Sequence, residues 1–213
     1  VNTFFSFILN NNITNSSKVI ENLLFRLVFN PAKDGSNTTS IYSVYQMHDS
    51  FINTNSSFVN FKSSTGSGKT RCAPFFFAIR MIEENLEKPF FIMTQPSYSI
   101  ISDKYKDFKN ILKSTVTLVK DNKEMFSLYK KFNRLVDENK TKTMAYKKLF
   151  SKPIIGLLSP HSLLSLISKT DKNNIDIISY TRFCLDEFHQ RNVDTDVLIA
   201  TLSEKMKIMV KNK

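Results

Sequence analysis

Cysteine, tryptophan and long hydrophobic runs are scarce or absent in this chain. Its 213 residues contain no Trp and only two cysteines, Cys72 and Cys184, which lie far apart with no C-x-x-C pattern. We therefore expect neither a disulfide framework nor a zinc knuckle, and a reducing compartment fits best. No apolar run approaches the ~20 residues of a membrane span, and the apolar segment 4–9 lacks the flanks of a signal peptide. The expectation is an intracellular protein, nuclear or cytoplasmic, with no membrane partner.

What the chain does contain is a sizeable apolar fraction and an excess of positive charge. Hydrophobic residues make up 41% and aromatic residues 12%, with 19 Phe, which excludes wholesale disorder. Lys and Arg number 30 against 19 Asp and Glu, a net charge of +11. This charge suits a polyanionic partner such as nucleic acid, although biased codon usage would give a similar lysine-rich composition.

The order of segments predicts an α/β domain behind a short extension. Residues 1–40 are predicted to form an N-terminal extension, a helix followed by a polar linker. From residue 41 to residue 213, strand-like and helix-like segments alternate, which indicates a layered α/β domain. Strands are predicted at 57–62, 90–93, 115–119 and 154–158, and helices at about 69–86, 99–112, from 160 onward and 193–210.

The stretch 120–152 is the most basic part of the chain. It holds ten Lys or Arg residues against four Asp or Glu residues, which is more than half of the net charge. Two interpretations are open at this point. The stretch is either a solvated helical insertion or a nucleic-acid contact surface.

A glycine-containing turn between a predicted strand and a predicted helix suggests a phosphate-binding loop. Glycines let successive backbone N–H groups point at an anion, and the helix N-terminus adds its positive end. Lys69 would reach the β- and γ-phosphates, and the Thr70 hydroxyl would ligate Mg²⁺. The candidate phosphate-binding residues are Thr65, Gly66, Ser67, Gly68, Lys69 and Thr70.

A second motif, Asp186-Glu187-Phe188-His189, lies at a predicted strand end, after the apolar segments 175–178 and 183–185. Adjacent carboxylates at a strand end alternate in direction, so they can serve different purposes. Asp186 would hold Mg²⁺ through its water shell, and Glu187 would orient and deprotonate an attacking water. Together with the phosphate loop, this pair indicates a nucleoside-triphosphate site.

The two motifs resemble those of the superfamily 2 DExH helicases, most closely the DEAH/RHA group. The first motif of that family, G-x-T-G-S-G-K-T, is matched by 63–70 except that Ser63 replaces the first glycine. The T-Q-P motif is matched by 94–96, and Ser97 and Tyr98 follow where the family has two arginines. The D-E-A-H-E-R-x-x-x-T-D motif is mirrored by residues 186–196, and T-P-G-x-L-L by residues 159–164, with His161 in place of glycine.

This resemblance implies a RecA-like P-loop NTPase with ATP and Mg²⁺ as cofactors and RNA, possibly DNA, as partner. The implied fold is a three-layer α/β/α domain with a mainly parallel sheet. Lys69 and Glu187 would be catalytic, and His189 would couple the nucleotide site to the nucleic-acid site. The residues that the resemblance implies for nucleic-acid contact are Thr94, Gln95, Ser159 and Ser162.

Two parts of the family pattern do not occur in the sequence, namely the S-A-T motif and a second RecA-like domain with its arginine finger. The expectation is therefore a piece of an ATP-dependent RNA helicase with an incomplete sheet that hydrolyses ATP poorly by itself. Two alternatives stay open. One is a short, degenerate protein that binds nucleotide or RNA without turnover, and the other is a different P-loop ATPase, such as a transport or assembly motor.

Overall fold

The fold is taken from a computed structural model, which describes residues 70, 73–75, 77, 78, 81, 88–112, 116–139, 152–187 and 192–211. The predicted extension 1–40, the predicted strand 57–62, most of the phosphate loop (65–69) and His189 lie outside the described residues. Among the described residues, no helix combines the length and the apolar character that crossing a membrane requires.

Four parallel strands form the described sheet, in the order β2-β3-β1-β4. Their apolar sequences, such as FFIMT and IIGLL, are typical of parallel strands that are covered on both faces. All five residues of β1 and all five of β3 are buried. The strands are β1 (Phe90–Thr94), β2 (Thr117–Val119), β3 (Ile154–Leu158) and β4 (Thr181–Leu185).

Five helices with described bounds accompany the sheet, and residues 70, 73–75, 77, 78 and 81 are also helical. Side-chain oxygens cap several of these helices, because the first turn of a helix leaves backbone N–H groups without partners. Asp121, Ser159 and Asp176 each accept a backbone N–H three residues further on. The helices are α1 (Tyr98–Leu112), α2 (Asn122–Asn139), α3 (Pro160–Lys172), α4 (Ile177–Tyr180) and α5 (Val193–Lys211).

Alternate side chains of β1 point to opposite faces of the sheet, and helices cover both faces. Phe90 belongs to the main core with Tyr129 of α2, and their rings stack at 4.1 Å. The next residue, Phe91, stacks on Phe77 at 4.3 Å. The sheet therefore lies between two helical layers, which confirms the predicted α/β class with a parallel sheet.

The first half of the basic stretch forms a layer of the domain. Helix α2 connects β2 to β3 and buries Met125, Tyr129 and Phe132 completely. Gly156 of β3 lies directly beneath it, and a Cβ atom at that position would approach Met125 Cε to 3.0 Å. The exposed side of α2 carries Lys123, Lys130, Lys131 and Arg134. The second half, 140–151, lies outside the described residues.

Candidate functional site

A hydrogen bond across the end of the sheet joins two motifs that are 91 residues apart in the chain. Strands β1 and β4 pair in register up to Thr94 and Leu185, so the next residues, Gln95 and Asp186, face each other. The Gln95 Nε2 amide donates to Asp186 Oδ2 at 2.9 Å. Gln95 is buried, and its backbone N–H donates to the Leu158 carbonyl at 3.0 Å. The amide that orients the Asp186 carboxylate is thus itself anchored to β3.

Glu187 turns the chain immediately after this contact. Strand β4 ends at Leu185, and Glu187 has a φ angle of 52°, in the left-handed region that side chains other than glycine seldom adopt. Such a conformation costs on the order of 1 kcal/mol and is common at functional sites. Asp186 and Glu187 lie after the end of β4, so the expected alternation of side-chain direction along a strand does not apply to them. Both residues line one cleft.

This cleft lies between the carboxyl ends of β1 and β4 and the start of α5. On the sheet side it is lined by Gln95, Leu185, Asp186 and Glu187. On the α5 side, the Asn192 Oδ1 atom accepts bonds from Thr195 N at 2.9 Å and from Thr195 Oγ1 at 3.0 Å. The remaining lining includes Thr94, Pro96, Pro160 and Leu198.

The four residues predicted to contact nucleic acid lie at the carboxyl ends of the neighbouring β-strands β1 and β3, but their exposure differs. Thr94 is 3% exposed and Gln95 is 2% exposed, so neither side chain reaches the surface of the described structure. Ser159 and Ser162 are half-buried. Ser159 caps α3, because its Oγ accepts the Ser162 N–H at 3.1 Å and donates to Ser162 Oγ at 3.0 Å. Of these four residues, the two serines are therefore the more accessible in the described structure.

His161, which replaces a glycine of the related motif, bridges two helix starts. Its Nδ1 lies 3.6 Å from Asp194 Oδ2, which connects the first turn of α3 to the first turn of α5. Both side chains are open to solvent, at 79% for His161 and 48% for Asp194. The substitution therefore adds a surface contact beside the cleft without entering the core.

The comparison with known families identifies the domain. A sequence model described as DEAD/DEAH box helicase matches residues 39–212. The chain belongs to the DEAD/DEAH box helicase family. No curated protein and no solved structure matches it at a significant level. The four-stranded parallel sheet between helices is consistent with the RecA-like domain of such helicases, a family that in general hydrolyses ATP with Mg²⁺ and acts on nucleic acid.

The donor atoms of two candidate residues suit a magnesium ion. The described candidate ligands, Asp186 and the half-buried Thr70, offer oxygen atoms, which Mg²⁺ prefers. Among the described residues, no group of three His, Cys, Asp or Glu side chains converges on one point. Mg²⁺ is usually bound by one or two carboxylates together with substrate phosphates, so a closed protein cage is not needed. Lys69 and His189 lie outside the described residues.

Two features of the site were missed by the sequence interpretation. Asn192 and Thr195 form one wall of the cleft, and their signal is an Asn three residues before a Thr at a helix start. The other is a contact between Lys120 and two tyrosine rings beside the sheet edge. It joins helix α1 to the residue after β2, so no local pattern in the sequence indicates it.

Proposed function

We propose that this domain binds Mg-ATP and RNA as the first RecA-like domain of a DExH-type RNA helicase, and that it couples ATP hydrolysis to strand translocation or unwinding. The observation that carries the proposal is the 2.9 Å hydrogen bond between Gln95 and Asp186. It links the T-Q-P segment, a candidate nucleic-acid contact, to the Asp186 carboxylate, which is the candidate Mg²⁺ ligand. DNA in place of RNA is the closest variant of this proposal.

Each candidate residue then has a defined part in the reaction. The loop 65–68 and Lys69 would hold the phosphates, and Thr70 and Asp186 would hold Mg²⁺, which neutralises phosphate charge when bound. Glu187 would orient the attacking water and accept its proton. Glu187 follows β4 in a turn and lines the same cleft as Asp186, which supports this role. His189 would couple the nucleotide site to the strand site.

The contacts of Gln95 suggest how the two sites communicate. Its backbone is fixed to β3 through the Leu158 carbonyl, and β3 continues into Ser159 at the start of α3. Its side chain holds Asp186. A strand bound at Ser159 and Ser162 would therefore act on the end of β3, and a movement there would reach the Asp186 carboxylate through one residue.

RNA-stimulated ATP turnover tests the proposal. We expect Glu187→Gln to lower the stimulated rate by about 10²- to 10⁴-fold while nucleotide binding is kept, because the variant lacks the general base. Lys69→Ala should abolish nucleotide binding. The matched control is Glu204→Gln, since Glu204 is exposed on α5 and far along the chain from the motif. Turnover that is unchanged in Glu187→Gln would contradict the assigned role.

The same assay separates the two alternative functions. Nucleotide binding that requires Lys69, without any turnover even when a second RecA-like domain is supplied, would favour a degenerate nucleotide- or RNA-binding protein. The replacement of family glycines by Ser63 and His161 supports that alternative. ATP turnover that RNA and DNA leave unchanged would favour another kind of P-loop ATPase.

A further inference from the structure

Tyr98 is an exposed aromatic residue at the edge of the sheet that carries the candidate site. It is the first residue of α1, four positions after the end of β1, and it is 68% exposed. The tyrosines of the core behave differently. Tyr129 is fully buried, and Tyr180 is 6% exposed with its hydroxyl donating to Asn133 at 3.0 Å. Tyr98 is the most exposed of the four described tyrosines, since Tyr105 of α1 is half-buried.

The lysine that follows β2 lies over the Tyr98 ring. Lys120 follows β2 directly, and its Nζ lies 6.0 Å from the Tyr98 ring centroid and 5.0 Å from the Tyr105 centroid. Tyr98 and Tyr105 are seven residues apart on α1, so they share one helix face. Within the described part of the chain, Lys120 makes no ion pair with a carboxylate. The neighbouring acid, Asp121, is engaged as the cap of α2, where its Oδ1 accepts the Glu124 N–H at 2.8 Å.

We propose that Tyr98 and Lys120 form a stacking site for an unpaired nucleotide of a single strand, with the base on the Tyr98 ring and its phosphate near the Lys120 ammonium. This inference rests on the proposed RNA-binding function and adds a binding residue to it. An exposed aromatic ring beside a cation is the arrangement by which proteins hold single strands, because every base has a face that can stack. The net charge of +11 favours a polyanion over a neutral partner at this surface.

The place of this pair in the fold supports the same ligand. Tyr98 follows β1, Lys120 follows β2, and the helix start with Ser159 and Ser162 follows β3, which lies between those two strands. All of them are at the carboxyl edge, where ligands bind in open α/β sheets. A nucleic-acid strand that crosses this edge would pass the ends of β1, β3 and β2, which these residues follow. At position 98 the resembling helicases carry an arginine, so this chain substitutes a ring there and supplies a positive charge from Lys120.

The test measures binding of labelled single strands by fluorescence anisotropy, with ~12-nucleotide oligouridylate, its deoxy counterpart and an abasic strand of equal length. We expect Tyr98→Ala to weaken oligouridylate binding by about 5- to 100-fold, and Tyr98→Phe to keep most of it. On the abasic strand Tyr98→Ala should change little, because no base is present to stack. Lys120→Ala should reduce the salt dependence of binding by about 0.7 in the slope of log K against log salt.

Matched controls come from the far end of α5. Ile208→Ala removes another exposed apolar side chain and Lys207→Ala another exposed lysine, both roughly 20 Å along the helix from the edge. Equal binding by wild type and Tyr98→Ala, or an equal loss on the abasic strand, would overturn the stacking site and leave RNA binding standing. A wild-type chain that binds ATP but no strand would overturn the RNA part of the proposed function as well. A stronger effect on the deoxy strand would assign the site to DNA.

Discussion

Strands β1 and β4 are neighbours of equal length in one sheet, yet they differ in burial and in chemistry. All five residues of β1 are buried, and it pairs with β3 on one side and β4 on the other. In β4 only Thr181 is buried and the other four residues are partly exposed. Among the described residues, β4 pairs with β1 alone. The central strand thus provides rigidity, and the less covered strand carries the carboxylates.

This difference explains why Asp186 depends on Gln95. A carboxylate at the end of a partly covered strand needs a fixed neighbour if it is to keep one orientation. The β1 strand provides that neighbour, because Gln95 follows five buried residues and is held by the Leu158 carbonyl. Substitutions in β1 should therefore reduce the free energy of unfolding most, whereas substitutions at the end of β4 should mainly reduce activity.

The largest stability effect is expected from truncating the core of β1. Phe90→Ala removes a fully buried ring that contacts both Tyr129 and Phe132, so it should lower the free energy of unfolding by about 3–5 kcal/mol. The matched variant Phe183→Ala in β4 removes a partly buried ring. It should lower the free energy of unfolding by roughly half as much as Phe90→Ala. Urea denaturation followed by circular dichroism gives both values. Equal losses would contradict the division between the two strands.

A smaller loss of stability is expected from breaking the contact between α2 and the start of β4. The hydroxyls of Tyr129 and Thr181 share a hydrogen bond in the core, 52 residues apart in the chain. Tyr129→Phe leaves the buried Thr181 hydroxyl without this partner and should cost about 1–2 kcal/mol. Burial of the Tyr129 hydroxyl also raises its pKa above the usual range, so the neutral, hydrogen-bonded form persists at all moderate pH values.

The double variant Tyr129→Phe/Thr181→Val is the control for this bond. Replacing both partners by apolar groups of similar shape removes the unsatisfied hydroxyl, so the double variant should be more stable than the sum of the single changes predicts. Urea denaturation of all four proteins gives the interaction energy. Strict additivity would mean that the hydroxyl contact contributes nothing to the attachment of β4.

Local pattern predicted the strands well because their apolar runs end at polar or breaker residues. The bounds of β3 agree with the prediction of 154–158, and β1 is longer than predicted by Thr94 alone. Of the two apolar segments expected before Asp186, 175–178 and 183–185, only the second lies in β4. Ile177–Tyr180 form the short helix α4, because the Asp176 side chain accepts the Ser179 N–H and starts a helical turn. An Asp before an apolar run is compatible with either structure until tertiary contacts decide.

The chemistry of the site stays a prediction, whereas part of its geometry is described. Asp186 and Glu187 could be proposed from the sequence because a carboxylate pair after a strand, together with a glycine-lysine turn, is typical of nucleotide sites. Their contacts could not be predicted, since the Gln95 bond depends on which strands are neighbours in the sheet. Likewise, the burial of Thr94 and Gln95 follows from the helices that cover β1, which no local pattern specifies.

The smallest expected effect is on the titration and labelling of Cys184, and it reports how well β4 is covered. Cys184 is partly exposed as a whole residue, but burial of its thiol and the nearby Asp186 carboxylate raise its pKa to about 12, from an ordinary value near 9. Below pH 9 the thiol is neutral in both the folded and the unfolded chain, so no change in stability is expected. Between pH 9 and 12 the unfolded chain loses this proton first, and stability should fall as the pH rises.

Thiol labelling of a Cys72→Ser variant at pH 8 isolates Cys184 and measures its protection. We expect native labelling on the order of 10²- to 10³-fold slower than labelling in denaturant, because so little thiolate is present. Asp186→Asn should speed native labelling modestly, since it removes the negative charge that helps to raise the pKa. Labelling at the unfolded rate would show that β4 separates from its cover in solution. The 2.9 Å bond from Gln95 would then hold Asp186 for only part of the time, and the proposed link between the strand site and the nucleotide site would weaken with it.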